Sequence, residues 1–126
     1  MMTMMGKERI LIVGTDYDIQ ELHDYFSSKG YRVFVASNIV EGTRLHKKYR
    51  PSQVFTELNV GEESGIQMTM DIRRYDRQAG RETRITLMHD NELQEGANAE
   101  NLMADAIYNK RSSPAQLMHK LRREAA

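Results

Sequence analysis

Apolar positions along the chain recur in two rhythms. Arg9-Ile-Leu-Ile-Val13 is a short aliphatic, β-branched run stopped by Gly14, the pattern of a strand buried on both faces. Thr15-x-x-Asp18 has the form of a capping box, and Ile19, Leu22, Tyr25 and Phe26 follow at helical spacing until Gly30. Residues 31–36 (YRVFVA) predict a second strand, and 38–49 a helix weakened by Gly42 and Thr43. After Arg50-Pro51, Gln53 to Leu58 predict a third strand and Asn59 to Gly65 a loop. Ile66, Met70 and Ile72 predict a helix through about Tyr75, with a polar loop from Asp76 to Glu82. Ile85 to His89 read as the fourth strand. A polar stretch from Asn91 follows, with a poor helix around Glu100 to Asp105, and Ala106 to Asn109 read as the fifth strand. Ser113 as N-cap and Pro114 at the first helical position open a last helix through about Arg123, with Leu117 and Leu121 on its apolar face.

Short apolar strands alternating with helices predict an α/β fold: a doubly wound, five-stranded parallel sheet with helices on both faces. Right-handed crossovers and the size of the chain favour the order 2-1-3-4-5. In such a sheet, function gathers beyond the carboxyl ends of the strands, where the strand order reverses. That rule points to Gly14, Thr15 and Asp16 after the first strand, Glu57 to Asn59 after the third, His89 after the fourth and Lys110 after the fifth.

Composition narrows the classes. A chain of 126 residues fits one domain, drawn here as 8–126 behind an N-terminal extension of 1–7, and buries a core without staples. It has no cysteine, which excludes a disulfide scaffold, a thiolate metal site and a thiol nucleophile. No apolar run approaches the roughly 18 residues of a membrane span, so a soluble cytoplasmic protein is expected. Basic and acidic residues number 18 each, which argues against nucleic-acid binding by the whole domain. The charges are segregated: Asp16, Asp18, Glu21 and Asp24 cluster early, and Lys110, Arg111, Lys120, Arg122 and Arg123 cluster late. His23, His46, His89 and His119 lack paired ligand spacing, no phosphate-binding glycine loop is present, and no nucleophile–base pair is visible.

The frame ILIVGTDYDI at the first strand, RPSQVFTELNVGEESG at the third and YNKRSSPAQL at the fifth resembles the receiver domain of bacterial two-component response regulators, across about residues 8 to 123. The resemblance implies the flavodoxin-like arrangement of that family. It also implies a pocket in which an acidic pair holds Mg²⁺, an aspartate accepts a phosphoryl group, and a hydroxyl and a lysine contact that group. Carried over position by position, the acidic pair falls on Gly14 and Thr15, the phosphoacceptor on Glu57, the hydroxyl on His89 and the lysine on Lys110. Asn59 stands where the family uses a backbone carbonyl for the metal, and Asp16 is one residue beyond the acidic pair. Only Lys110 matches the family's chemistry.

Mg²⁺ needs carboxylate oxygens in near-octahedral geometry, and Gly14 offers none. Glu57 is one C–C bond longer than aspartate, so its oxygen falls about an ångström from the in-line position, a displacement that can cost about a hundredfold in rate. No cofactor is therefore expected, Mg²⁺ included, and no enzymatic activity. Glu57 and Lys110 are expected to pair, either as a mimic of the activated state or as a plain buried ion pair. The leading functional expectation is a signalling module that acts by protein–protein interaction without phosphorylation. The alternatives are a phosphorylatable regulator that uses Asp16 and Glu57 with Mg²⁺, and a nucleic-acid-binding accessory that uses the basic last helix. The expected interaction surface comprises Ile107, Tyr108, Arg111, His119, Lys120, Arg122 and Arg123. Facing Glu92, Glu95 and Glu100 of another copy, that surface suits a two-fold dimer.

Overall fold

The structure, a computed structural model, describes residues 8–16, 18–89, 98–109, 114–116 and 119. Its frame is a five-stranded parallel sheet. The strands are β1 (Arg9–Val13), β2 (Arg32–Ala36), β3 (Gln53–Glu57), β6 (Arg84–His89) and β7 (Ala106–Asn109), in the order β2-β1-β3-β6-β7. With β6 and β7 counted as the fourth and fifth strands, this is the expected order. The register aligns Val13 with Thr56, Glu57 with Met88, and Met88 with Tyr108, so the carboxyl ends of β1, β3, β6 and β7 share one rim.

Two apolar clusters flank the sheet, as the two-residue period of a strand requires. Ile10, Ile12, Phe55, Met88 and Tyr108 pack with Ile19, Leu22 and Phe26 of α1 (Asp18–Ser28). Leu11, Val13, Val54 and Ile85 pack on the other face with Leu45 of α2 (Ile39–Tyr49) and with Met68 and Ile72 of α3 (Gly65–Ala79). Phe26 stacks on Phe55 at 5.2 Å, joining α1 to the middle of the sheet. Residues 114–116 and 119 are helical, in keeping with a last helix opened by Pro114.

Local details depart from the sequence expectations in four places. α1 begins at Asp18, so Thr15 is not its N-cap; the Thr15 amide points instead to a carboxylate, described below. The segment read as a loop at 59–65 contains a two-stranded antiparallel hairpin, β4 (Asn59–Val60) and β5 (Glu63–Ser64), which turns at Gly61 (φ 65°). Val60 is buried in the core between sheet and helices, and the Glu63 carboxylate accepts the Ile39 amide at 3.0 Å, so the hairpin is tied to the start of α2. α3 runs a turn further than expected, to Ala79, because Asp76 is buried against His46 instead of facing a loop. Gly80 ends it in the left-handed conformation (φ 68°), with its amide returned to the Asp76 carbonyl. Finally, residues 99–103 form turns and not the expected helix; Met103 has φ 62°, which a continuing helix does not allow.

Candidate functional site

The rim at the carboxyl ends of β1 and β3 gathers the residues that matter. β1 ends at Val13, and the Gly14 amide still bonds the Ala36 carbonyl of β2 at 3.0 Å, so position 14 is held against the sheet. Glu57 is the last residue of β3 and only 4% exposed. Phe55, two residues earlier, packs on the α1 side, so the pleat turns Glu57 to that side as well. Ile10 and Ile12 lie there too, which brings Gly14 to the same face.

The Glu57 carboxylate therefore lies over Gly14. A Cβ built on Gly14 would stand 2.6 Å from Glu57 Cδ, 2.8 Å from its Oε1 and 2.7 Å from Ile19 Cδ1. Oε1 accepts the Thr15 amide at 2.9 Å. The missing side chain at position 14 and the longer side chain at position 57 are complementary in volume. Gly65, at the start of α3, closes the site from below: a Cβ there would collide with the Glu57 carbonyl, and its amide bonds the Leu58 carbonyl at 2.8 Å.

Oxygens of Asp16, Asp18 and Glu57 all lie within 4.8 Å of one another. Sequence reasoning singled out Asp16 and Glu57 but took Asp18 for a cap. The first turn of α1 aims Asp18 into the same space, beside the positive end of the helix dipole. His89 is half-buried at the end of β6 and aligned with Asn109, while Asn59 is exposed and paired with Ser64 in the hairpin. Thr15 and Asp16 are exposed. The structure thus assembles Gly14, Thr15, Asp16 and Glu57 around one carboxylate, with Asn59 and His89 at neighbouring strand ends. Lys110 lies outside the described residues, and with it the expected Glu57–Lys110 pair.

The response regulator receiver domain family matches residues 10–122. The chain belongs to that family. As a receiver it is a domain of two-component signalling. Solved structures agree on the fold. A CheY-like receiver domain protein from Methanospirillum hungatei has a TM-score of 0.81 at 18% identity, covering 94% of each chain. The chemotaxis response regulator CheY4 of Vibrio cholerae also gives 0.81, at 19% identity, covering 94% of this chain and 98% of its own. The receiver domain of the Saccharomyces cerevisiae response regulator Ssk1, solved with the histidine phosphotransfer protein Ypd1, gives 0.77 at 19% identity, covering 94% and 88%. No curated protein matches the chain.

Of the expected interaction surface, the receiver presents His119 as exposed and Ile107 as half-buried. Tyr108 corrects the expectation: it is 5% exposed and packs with Met88 and Phe55 in the core. Its side chain shares the register position of Met88 and Glu57, on the α1 side of the sheet, and is filled in by that helix. Burial, reinforced by the charges of Asp18 and Glu21, pushes the Tyr108 hydroxyl up to about 12. Arg111, Lys120, Arg122, Arg123, Glu92 and Glu95 lie outside the described residues, and so do the dimer contact and the basic helix face built on them. Among the described residues, no helix is long and apolar enough to cross a membrane.

Proposed function

We propose that this receiver works as a binding module for a protein partner and does so without phosphorylation at Glu57. One observation carries the reading: the Glu57 carboxylate is buried over Gly14 and accepts the Thr15 amide at 2.9 Å. An acceptor of a phosphoryl group must present a free oxygen in line with the donor, and positioning supplies most of the catalysis. Glu57 instead turns one oxygen into the β1–α1 loop, into space that position 14 leaves open. A receiver fold solved in complex with a phosphotransfer protein supports a protein surface as the ligand class.

A second reading, a phosphorylatable regulator, is favoured by the carboxylate cluster. Asp16, Asp18 and Glu57 offer hard oxygen donors within 4.8 Å of one another, a set that suits Mg²⁺. These three residues would hold the ion, which would supply charge neutralisation for phosphoryl transfer. Against that reading, Gly14 contributes no ligand and Glu57 already bonds the Thr15 amide.

Incubating the chain with acetyl phosphate, with and without Mg²⁺, separates the two by intact mass. The first reading expects no added phosphoryl group in either arm. A Mg²⁺-dependent phosphoryl adduct that disappears in Glu57→Gln would establish the second.

A further inference from the structure

β2 forms one edge of the sheet, with β1 on its inner side. The Arg32 amide bonds the Glu8 carbonyl at 3.0 Å, and the Ala36 carbonyl accepts the Gly14 amide at 3.0 Å. Both ends of β2 therefore turn their backbone groups to β1, as Phe34 does between them. In a parallel strand the alternate residues, Val33 and Val35, must turn their N–H and C=O groups outward. No hydrogen bond among the described residues reaches them there. Native edges of this kind are blunted by proline, by a bulge or by charge. β2 (RVFVA) has no proline, and its register with β1 is unbroken from Arg32 to Ala36. Its one charge is Arg32.

The two faces of this edge differ. On the α1 side Val33 is half-buried and Val35 is 42% exposed. On the α2 side Phe34 stacks on Tyr49, the last residue of α2, at 4.3 Å. The Arg32 guanidinium lies 5.6 Å from the Phe34 ring, and the Lys48 ammonium 5.2 Å from the Tyr49 ring. The stacked rings thus hold two cations beside the edge. Both side chains are exposed, and neither is in an ion pair among the described residues. The charges around them are engaged elsewhere. Arg9 bonds the Tyr49 carbonyl at 2.7 Å. Glu41 pairs with Arg44 at 2.8 Å, and Glu63 accepts the Ile39 amide at the far end of α2. Glu8 reaches Gln53 at 3.3 Å, on the α1 side of the sheet with Phe55.

We propose that the β2 edge docks an acidic, extended segment of a partner protein, which joins the sheet as a further strand. Its backbone would bond Val33 and Val35. Its side chains would alternate, apolar ones against Val35 on one face and carboxylates towards Arg32 and Lys48 on the other. A second copy of this chain is the poorer occupant. Paired antiparallel across a two-fold axis, it brings its own Arg32 and Lys48 to the same face and no carboxylate to meet them. The inference rests on the reading of the chain as a protein-binding module. It does not rest on the state of Glu57, so the acetyl phosphate incubation and the titration below fail separately.

The test is titration of the full chain with a short capped peptide of alternating Glu and Val, and with its Lys-Val counterpart, followed by calorimetry and by amide exchange. Saturable binding of the acidic peptide is expected, with exchange slowed at the Val33 and Val35 amides. Val35→Pro removes an outward donor and leaves the bonds to β1 in place, so it should weaken binding by about tenfold. Arg32→Glu should weaken the acidic peptide by about tenfold and shift preference to the basic one, which covers the case in which the proline variant misfolds. Arg74→Gln, at an exposed position on α3, should leave binding unchanged. Failure to saturate in the millimolar range overturns the proposal, as does binding that leaves exchange at Val33 and Val35 unchanged. Equal binding of the basic peptide overturns the acidic preference. Exchange at those two amides that slows with protein concentration alone assigns the edge to a second copy and overturns the partner.

Discussion

Glu57 occupies the space from which a side chain at Gly14 would have to grow, with Cδ 2.6 Å and Oε1 2.8 Å from the Cβ that Gly14 lacks. Gly14 follows β1 and Glu57 ends β3, 43 residues apart in the chain, yet neither side chain can be chosen without the other.

That coupling has a measurable consequence. Gly14→Ala should destabilise the fold by about 1–3 kcal/mol through overpacking against Glu57 and Ile19. Glu57→Ala opens the space, and the double variant should recover part of the loss. A coupling energy of about 0.5–3 kcal/mol is expected from a urea-denaturation double-mutant cycle. Strict additivity would show that the two side chains do not compete for the same volume.

The strands were legible because each is a short run of aliphatic and β-branched residues, and the carboxyl-end rule then placed Gly14, Glu57 and His89 on one rim. What was not legible is instructive. Asp76 reads as a loop residue because a charge has no apolar period, yet α3 carries it into the interior beside His46. The strands β4 and β5 have two residues each, too few to show any period. At the site, the positions were readable but the contact of Glu57 with the β1–α1 loop was not. The expectation named Lys110, which lies outside the described residues, and did not foresee that the Thr15 amide bonds the carboxylate. The clue was in the two-residue period: Ile10, Ile12 and Gly14 alternate with Leu11 and Val13, as Phe55 and Glu57 alternate with Thr56. Gly14 and Glu57 therefore had to share a face.

The buried His46 makes stability fall in mild acid. Its Nε2 lies 3.0 Å from Thr83 Oγ1 and 3.5 Å from Asp76 Oδ1. Both partners meet the same ring nitrogen, so the trio cannot relay a proton in the manner of a hydrolase triad. Burial pushes the imidazole down from 6.5 to about 4, with the Asp76 charge opposing only in part. The folded value lies below the unfolded one, so the unfolded chain takes up the proton first. Stability from neutral His46 is fully present above pH 6.5 and is lost as pH falls towards 4, by at most about 1.4 kcal/mol per pH unit. Urea midpoints of wild type and His46→Gln, measured from pH 8 to 4, should differ in slope between those two values. Parallel curves would mean that His46 is not the group responsible.

Asp105 should matter more through one amide than through its ion pair. Its Oδ2 accepts both the Arg73 guanidinium at 2.9 Å and the Ile85 amide at 2.7 Å. The Arg73–Asp105 pair is partly open to solvent, and pairs of that kind contribute about 0–1 kcal/mol. The Ile85 amide is part-buried and lies one residue before β6 pairs with β7, so depriving it of an acceptor costs about 1–3 kcal/mol. Asp105→Ala removes both interactions. Asp105→Asn removes the charge but keeps an oxygen for the amide. The expected order of stability is wild type, then Asn close behind, then Ala well below, with Ile85 amide exchange accelerated only in the alanine variant. If Asn and Ala fall equally far and salt shrinks both losses, the ion pair dominates and the ranking of the two interactions is reversed.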